Sequence, residues 1–289
     1  MYPRGHPVTT LHARVVSASL ALVLACGLAP ALSGCSKSTG PQERLTVTGS
    51  TTVEPIAEVA GEDFQTANPG KRILVAGVGS SAGIESVSKG TSDIGTSSRE
   101  LTDDEKKTLG LVDTPIALDA IVVIVNPANP VKALTKAQAA AIFEGRITNW
   151  KQVGGQDLAI GLVNRDEASG TRDAFSKIVL GGKDFDPTAA VLPGTGQVRS
   201  VVAQSVSAVG YISLGFVDST VKALSIDGIQ PTEQTVANAT YPISRVLHFF
   251  TKGAPKGLAK AYIDYVLSAQ VQDEVVRDAG FLPIKKGEQ

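Results

Sequence analysis

Residues 158–175, LAIGLVNRDEASGTRDAF, pass from an apolar stretch through a loop carrying Arg, Ser, Gly and Thr into a helical pattern that continues to Leu180. Two other segments share this design: LTVTGSTTVEPIA at 45–57 and RILVAGVGSSAGI at 72–84. In the first, Ile56, Val59, Ala60 and Phe64 recur at helical spacing, and Pro55 sits in the first turn, where its missing N–H costs nothing. Asn68-Pro69-Gly70 ends that helix.

The same alternation runs along the rest of the chain. Strands are predicted at 45–48, 72–78, 93–97, 158–164, 209–214 and 244–251. Residues 119–126, DAIVVIVN, are almost continuously apolar, so both faces of that strand should be buried. Helices are predicted up to Lys89, over 139–143 behind a Thr135/Gln138 capping box, and over 196–203. A long C-terminal helix is expected from the stripe Leu258, Ala261, Tyr262, Tyr265 and Val266. Strands alternating with helices define an α/β chain with mostly parallel sheets and ligands at the carboxyl ends of the strands.

Three loops that open helices make a chemical proposal. A helix start presents unpaired N–H groups and a partial positive charge. Small residues let an anion approach the backbone, and hydroxyls add donors. One such loop alone is an ordinary helix cap; three converging make a neutral cage for an oxyanion. Arg165, four residues before Ser169, adds a fork that can grip an oxyanion with two bonds. Glu167 is placed to hold that guanidinium, and Arg99 reads as a rim residue.

Composition excludes several classes. With 27 basic and 28 acidic residues, the net charge of −1 gives no basic surplus for nucleic acid. The 43% apolar content argues against disorder. Both cysteines, Cys26 and Cys35, lie near the N-terminus, so a disulfide framework or thiolate metal site in the body is excluded. His248 is the one histidine beyond residue 12. No metal or organic cofactor is implied.

The first 34 residues read as a secretory signal: Arg4, His12 and Arg14 precede an apolar run over 15–32, and no acidic residue occurs before Glu43. The run ends in Leu32-Ser33-Gly34-Cys35, similar to the lipobox of bacterial lipoproteins, in which the Cys is acylated. The other reading is plain cleavage near Ala31. Residues 35–44 read as a tether. Cleavage removes Arg4 and Arg14 and no acidic residue, giving a formal net charge of −3.

Six stretches together resemble the PstS family, the substrate-binding proteins of high-affinity phosphate ABC transporters. They are GSTTVEPIA at 49–57, GVGSSAGI at 77–84, DIGTSSREL at 93–101, RDEASGTRDAF at 165–175, AVGYISLGF at 208–216 and YPISR at 241–245. The resemblance implies a two-lobed periplasmic-binding-protein fold, type II-like, with two crossover strands forming a hinge. Lobe I would comprise 45–118 plus 243–289, and lobe II 119–242. It implies phosphate ligation by Thr51, Thr52, Ser80, Arg165, Ser169, Gly170 and Thr171, with Ser50, Ser81, Ser98 and Asp119 around them. It also implies a permease and ATPase as partners and a monomer on the outer side of the membrane, to which the lipobox-like end adds a lipid anchor through Cys35. Ser98 stands where well-studied members carry an Asp that accepts the proton of hydrogen phosphate. Asp119 is the expected substitute, its side chain pointing from the strand start into the cleft.

Two other readings stay open. Sulfate, molybdate or tungstate would suit the same donors. A serine hydrolase is also conceivable, since Gly79-Ser80-Ser81-Ala82-Gly83 fits G-x-S-x-G and His248 follows later. If Cys35 is the acylation site, metabolic labelling with an alkyne fatty acid is expected to tag the wild type and to vanish in Cys35→Ala. Labelling that persists in the variant would contradict the assignment.

Overall fold

A computed structural model describes residues 42–284. The expected signal segment, Cys35 and most of the expected 35–44 tether lie outside the described residues. Glu43 and Arg44 already belong to the first strand, so the tether ends earlier than predicted.

In chain order, β1 (Glu43–Gly49), α1 (Glu54–Ala67), β2 (Lys71–Gly77), α2 (Ser80–Lys89), β3 (Ile94–Ser97) and α3 (Asp103–Thr108) precede β4 (Leu111–Val125). Next come β5 (Ala133–Leu134), α4 (Lys136–Phe143), β6 (Gly161–Arg165), α5 (Gly170–Phe175), β7 (Ala190–Leu192), α6 (Thr195–Gln204) and β8 (Ala208–Ser213). After β9 (Lys222–Ala223), β10 (Ser225–Ile226) and α7 (Glu233–Ala237), the chain returns through β11 (Ser244–Lys252). It then forms α8 (Gly257–Val266), α9 (Ala269–Val271) and β12 (Leu282–Pro283).

The main sheet runs β2-β1-β3-β11-β4-β8-β6-β7. Its flanks are parallel, as helix crossovers require: β1 with β2 and β3, and β6 with β7 and β8. Its middle is antiparallel, with β11 against β3 and β4, and β4 against β8. β4 is the long strand that serves both sides. Its first part pairs with β11 as far as Ala120, and its second part pairs with β8 from Ile121. Only the second part is uniformly apolar, which is why the sequence pattern revealed 119–126 and missed the stretch through Asp113, Thr114 and Pro115.

Two hydrophobic cores flank this crossing. One gathers Val47, Ile56, Phe64, Leu247, Phe249 and Tyr262. The other gathers Ile121–Val125 of β4, Phe143, Trp150, Phe175, Val198 and Tyr211. Phe216 packs against both. In the second core Phe175 stacks on Tyr211 with ring centroids 4.3 Å apart, and Phe143 meets both edge-on. The expected long C-terminal helix is broken. α8 stops at Val266, and Ser268 restarts the chain as the cap of α9, accepting from Val271 N at 3.4 Å. The Thr135/Gln138 capping box forms at the start of α4.

The loops that leave β1, β2, β3 and β6 all emerge at carboxyl ends of strands. α2 is pressed against the first of them. A methyl group at Gly83 would lie 2.6 Å from Gly49 Cα and from Thr48 O, and 2.8 Å from Thr96 O. Gly83→Ala must therefore push α2 off β1 and is expected to cost about 1–3 kcal/mol of stability. Denaturant unfolding checks this, and an unchanged midpoint would show that α2 is held elsewhere.

Candidate anion-binding site

The loop backbones lock one another in place. Ser50 N donates to Thr96 Oγ1 at 2.7 Å and to Thr96 O at 3.1 Å. Val78 N and Gly79 N both donate to Gly49 O at 2.8 Å, and Ser81 N donates to Ala168 O at 3.1 Å. Gly79 has φ = 103°, and a Cβ there would come within 2.8 Å of Ala168. Gly170 is required by space: its Cβ would lie 2.4 Å from Ser80 Oγ and 2.9 Å from Ser98 Oγ.

Between these loops the hydroxyls meet. Thr51 and Thr195 are 3.1 Å apart, Thr52 and Thr171 3.1 Å, Thr52 and Thr195 3.4 Å, Ser80 and Ser98 3.4 Å, and Ser98 and Thr171 3.5 Å. All but Thr51 are fully buried. Six hydroxyls accept from fixed N–H groups. Thr51 and Thr195 accept from Arg165, Thr52 and Thr171 from Arg245, Ser80 from Ser98 N, and Ser169 from Arg172 N. A hydroxyl that accepts from an N–H has its proton left to donate elsewhere. The cluster is thereby biased toward donation, which suits an oxyanion.

Arg165 is 2% exposed. Asn164 Oδ1 accepts from the Arg165 amide at 2.8 Å and from the Tyr211 hydroxyl, tying the strand end to the stacked aromatics. Its side chain donates from Nε to Leu192 O, from Nη2 to Pro193 O and Thr51, and from Nη1 to Thr195. Four of its five N–H groups are thus committed, and one on Nη1 is left. Among the described residues no carboxylate forms an ion pair with Arg165. Glu167, expected to hold the guanidinium, instead faces solvent and lies 3.7 Å from Arg172. It sits in the turn beyond the buried strand end.

Arg245, on β11, supplies a second buried guanidinium. Its Nε and Nη2 lie 2.9 and 2.7 Å from Asp119 Oδ2. Asp119 Oδ1 accepts from Ser213 Oγ at 2.7 Å. Asp119 therefore reaches the hydroxyls through Arg245 and not by pointing across the cleft as expected, because its register partner on β11 is Arg245 itself. Burial pushes both guanidiniums below their ordinary pKa, and Asp119 draws Arg245 part of the way back.

The structure brings together Thr51, Thr52, Ser80, Ser98, Arg165 and Thr171 of the expected set, with Ser169 and Gly170 as the adjoining wall. Ser50 lies beneath, accepting from Thr52 N at 3.2 Å. Ser81 sits at the rim, 3.4 Å from Arg99, which forks Glu105 at 2.7 and 2.9 Å and forms a 3.0 Å ion pair with Asp173. Thr195, Arg245 and Ser213 were missed. Thr195 stands in Gly194-Thr195-Gly196 at the start of α6, a fourth copy of the loop design. Arg245 was visible as a lone cation heading an apolar strand. A groove of about 760 Å³ opens onto Thr51 and Thr195, and another of about 510 Å³ onto Arg99 and Arg245. His248 is packed in β11, stacked on Phe250 with Nδ1 2.8 Å from Asp113, and no hydrogen bond joins it to Ser81.

A two-core α/β chain with a buried, donor-rich cluster at its crossing has the architecture of a periplasmic binding protein, and residues 36–270 match the PBP superfamily domain. The chain belongs to that superfamily and, within it, to the PstS family of phosphate-binding proteins. It is 38% identical over 245 residues to the phosphate-binding protein PstS of Bacillus subtilis (strain 168), covering 83% of this chain and 80% of that one. It is similar in structure to a phosphate ABC transporter substrate-binding protein with bound phosphate from Clostridium perfringens, with a TM-score of 0.80 and 38% identity over 84% of this chain and all of that one. An ABC-type phosphate transport receptor from Vibrio cholerae matches with a TM-score of 0.71 and 35% identity, over 83% of this chain and all of that one.

Proposed function

We propose that this protein captures inorganic phosphate between its two cores and delivers it to an ABC-type permease and its ATPase. It works as a substrate-binding protein, not an enzyme, in line with its family. The observation that carries this reading is the buried cluster itself: hydroxyls of which six each accept from an N–H group, beside Arg165 with no carboxylate partner among the described residues. Burying an anion is tolerable only when fixed donors replace its water.

The proposed ligands are Thr51, Thr52, Ser80, Arg165, Ser169, Gly170 and Thr171, joined by Thr195. The proposed lobes are 45–118 with 243–289, and 119–242, moving about β4 and β11. The open form would take the anion on one lobe, and closure would add the other lobe's donors. The protein acts on the extracytoplasmic side as a monomer, anchored through an acylated Cys35. With a formal net charge of −3 after cleavage, affinity comes from this local array and not from the global field.

Arg165→Ala is expected to weaken phosphate binding by about 2–5 kcal/mol, because a buried charged partner is lost. Calorimetry on variants with unchanged melting checks this, and near wild-type affinity would place Arg165 outside the site. The hydrolase reading needs Ser81 and His248 together. Ser81→Ala and His248→Ala are expected to alter no ester or phosphoester hydrolysis, and an activity lost in both variants would refute the binding role.

A further inference from the structure

We propose that Arg245, clamped by Asp119, is a positioning residue of the anion site: it turns the hydroxyls of Thr52 and Thr171 into donors toward the bound anion. This rests on the phosphate reading above. The plainer role for the pair is a cross-strand tie, since Arg245 and Asp119 face each other in the β11–β4 ladder. That role would need only the ion pair. The remaining bonds go further than a tie requires. Nη1 donates to Ser98 O at 3.1 Å and to Thr171 Oγ1 at 2.9 Å, and Nη2 reaches Thr52 Oγ1 at 3.5 Å. Thr52 and Ser98 belong to loops after β1 and β3, and Thr171 to the start of α5. One guanidinium therefore touches loops from both cores.

Arg245 makes four hydrogen bonds and its Nη2 also lies 2.7 Å from Asp119 Oδ2, so all three of its nitrogens are engaged on protein oxygens. Arg245 thus acts on the anion through the hydroxyls and not by direct contact. Thr52 and Thr171 each accept one N–H from Arg245, so that when an anion replaces the 3.1 Å contact between the two hydroxyls both protons can turn to it. Asp119 fixes the fork and offsets its charge, and Ser213 holds the other carboxylate oxygen at 2.7 Å. The pair adds oriented donors without adding net charge to the site. This array takes the position where Ser98 offers no carboxylate.

Two variants separate positioning from cross-linking. Arg245→Lys keeps the charge and can keep the ion pair, but an ammonium cannot reproduce the planar fork to Ser98, Thr171 and Thr52. The double variant Arg245→Gln/Asp119→Asn removes both charges together, so neither is left buried and alone. Each is titrated with inorganic phosphate by calorimetry, and thermal unfolding is recorded without phosphate. The expected result is at least a roughly tenfold loss of phosphate affinity in both, with the melting temperature of at least one variant close to wild type. If every folded variant binds phosphate within about twofold of wild type, the pair is only a strand tie and the proposal falls. Absence of phosphate binding by the wild-type protein would instead refute the functional reading itself.

Discussion

The structure depends on what happens to the lone pairs of a few buried hydroxyls. A free hydroxyl donates as readily as it accepts, so a pocket of Ser and Thr alone has no preference for an anion. Here Thr51, Thr52, Ser80, Ser169, Thr171 and Thr195 each accept from an N–H that is fixed by a strand end, a helix start or a buried Arg. Each keeps its proton to donate. Ser98 is the clustered hydroxyl without such an N–H, and its amide and carbonyl serve Ser80 and Arg245 instead.

That constraint explains why the surrounding parts are so closely packed. The end of β6 must hold Arg165 still, and Asn164 with the stacked Tyr211 and Phe175 does so from the second core. α2 must bring Ser80 against Ser98, which needs glycine at 83 and 170 so that backbones approach without a methyl group between them. Two guanidiniums buried side by side repel each other. Asp119 offsets one, and the other is left for the phosphate proposed to bind there.

Much of this was legible in the sequence because the fold repeats one local rule. A strand followed by Gly, Ser and Thr and then a helix marks the loops at 49–52, 79–83 and 169–171, and all three meet at the cluster. The α6 loop at 194–196 follows the same rule but leaves the short, mostly exposed strand β7, whose three residues give no periodicity to notice. Arg245 and Asp119 escaped for another reason. Their meeting depends on antiparallel register between strands more than a hundred residues apart, and no local pattern encodes that pairing. For the same reason the sequence alone points Asp119 into the cleft, whereas Arg245 across the ladder holds it. Glu167 lies two residues from Arg165 in sequence, yet the turn between them leaves Glu167 exposed and Arg165 buried.

The most direct test is a crystal structure of the protein grown with saturating inorganic phosphate. The account predicts one phosphate in the hydroxyl cluster, with oxygens within hydrogen-bond distance of Thr51, Thr52, Ser80, Ser169, Thr171 and the Arg165 guanidinium, and with Arg245 still paired to Asp119. A phosphate bound elsewhere, with the Ser and Thr hydroxyls still hydrogen-bonded to one another, would contradict it.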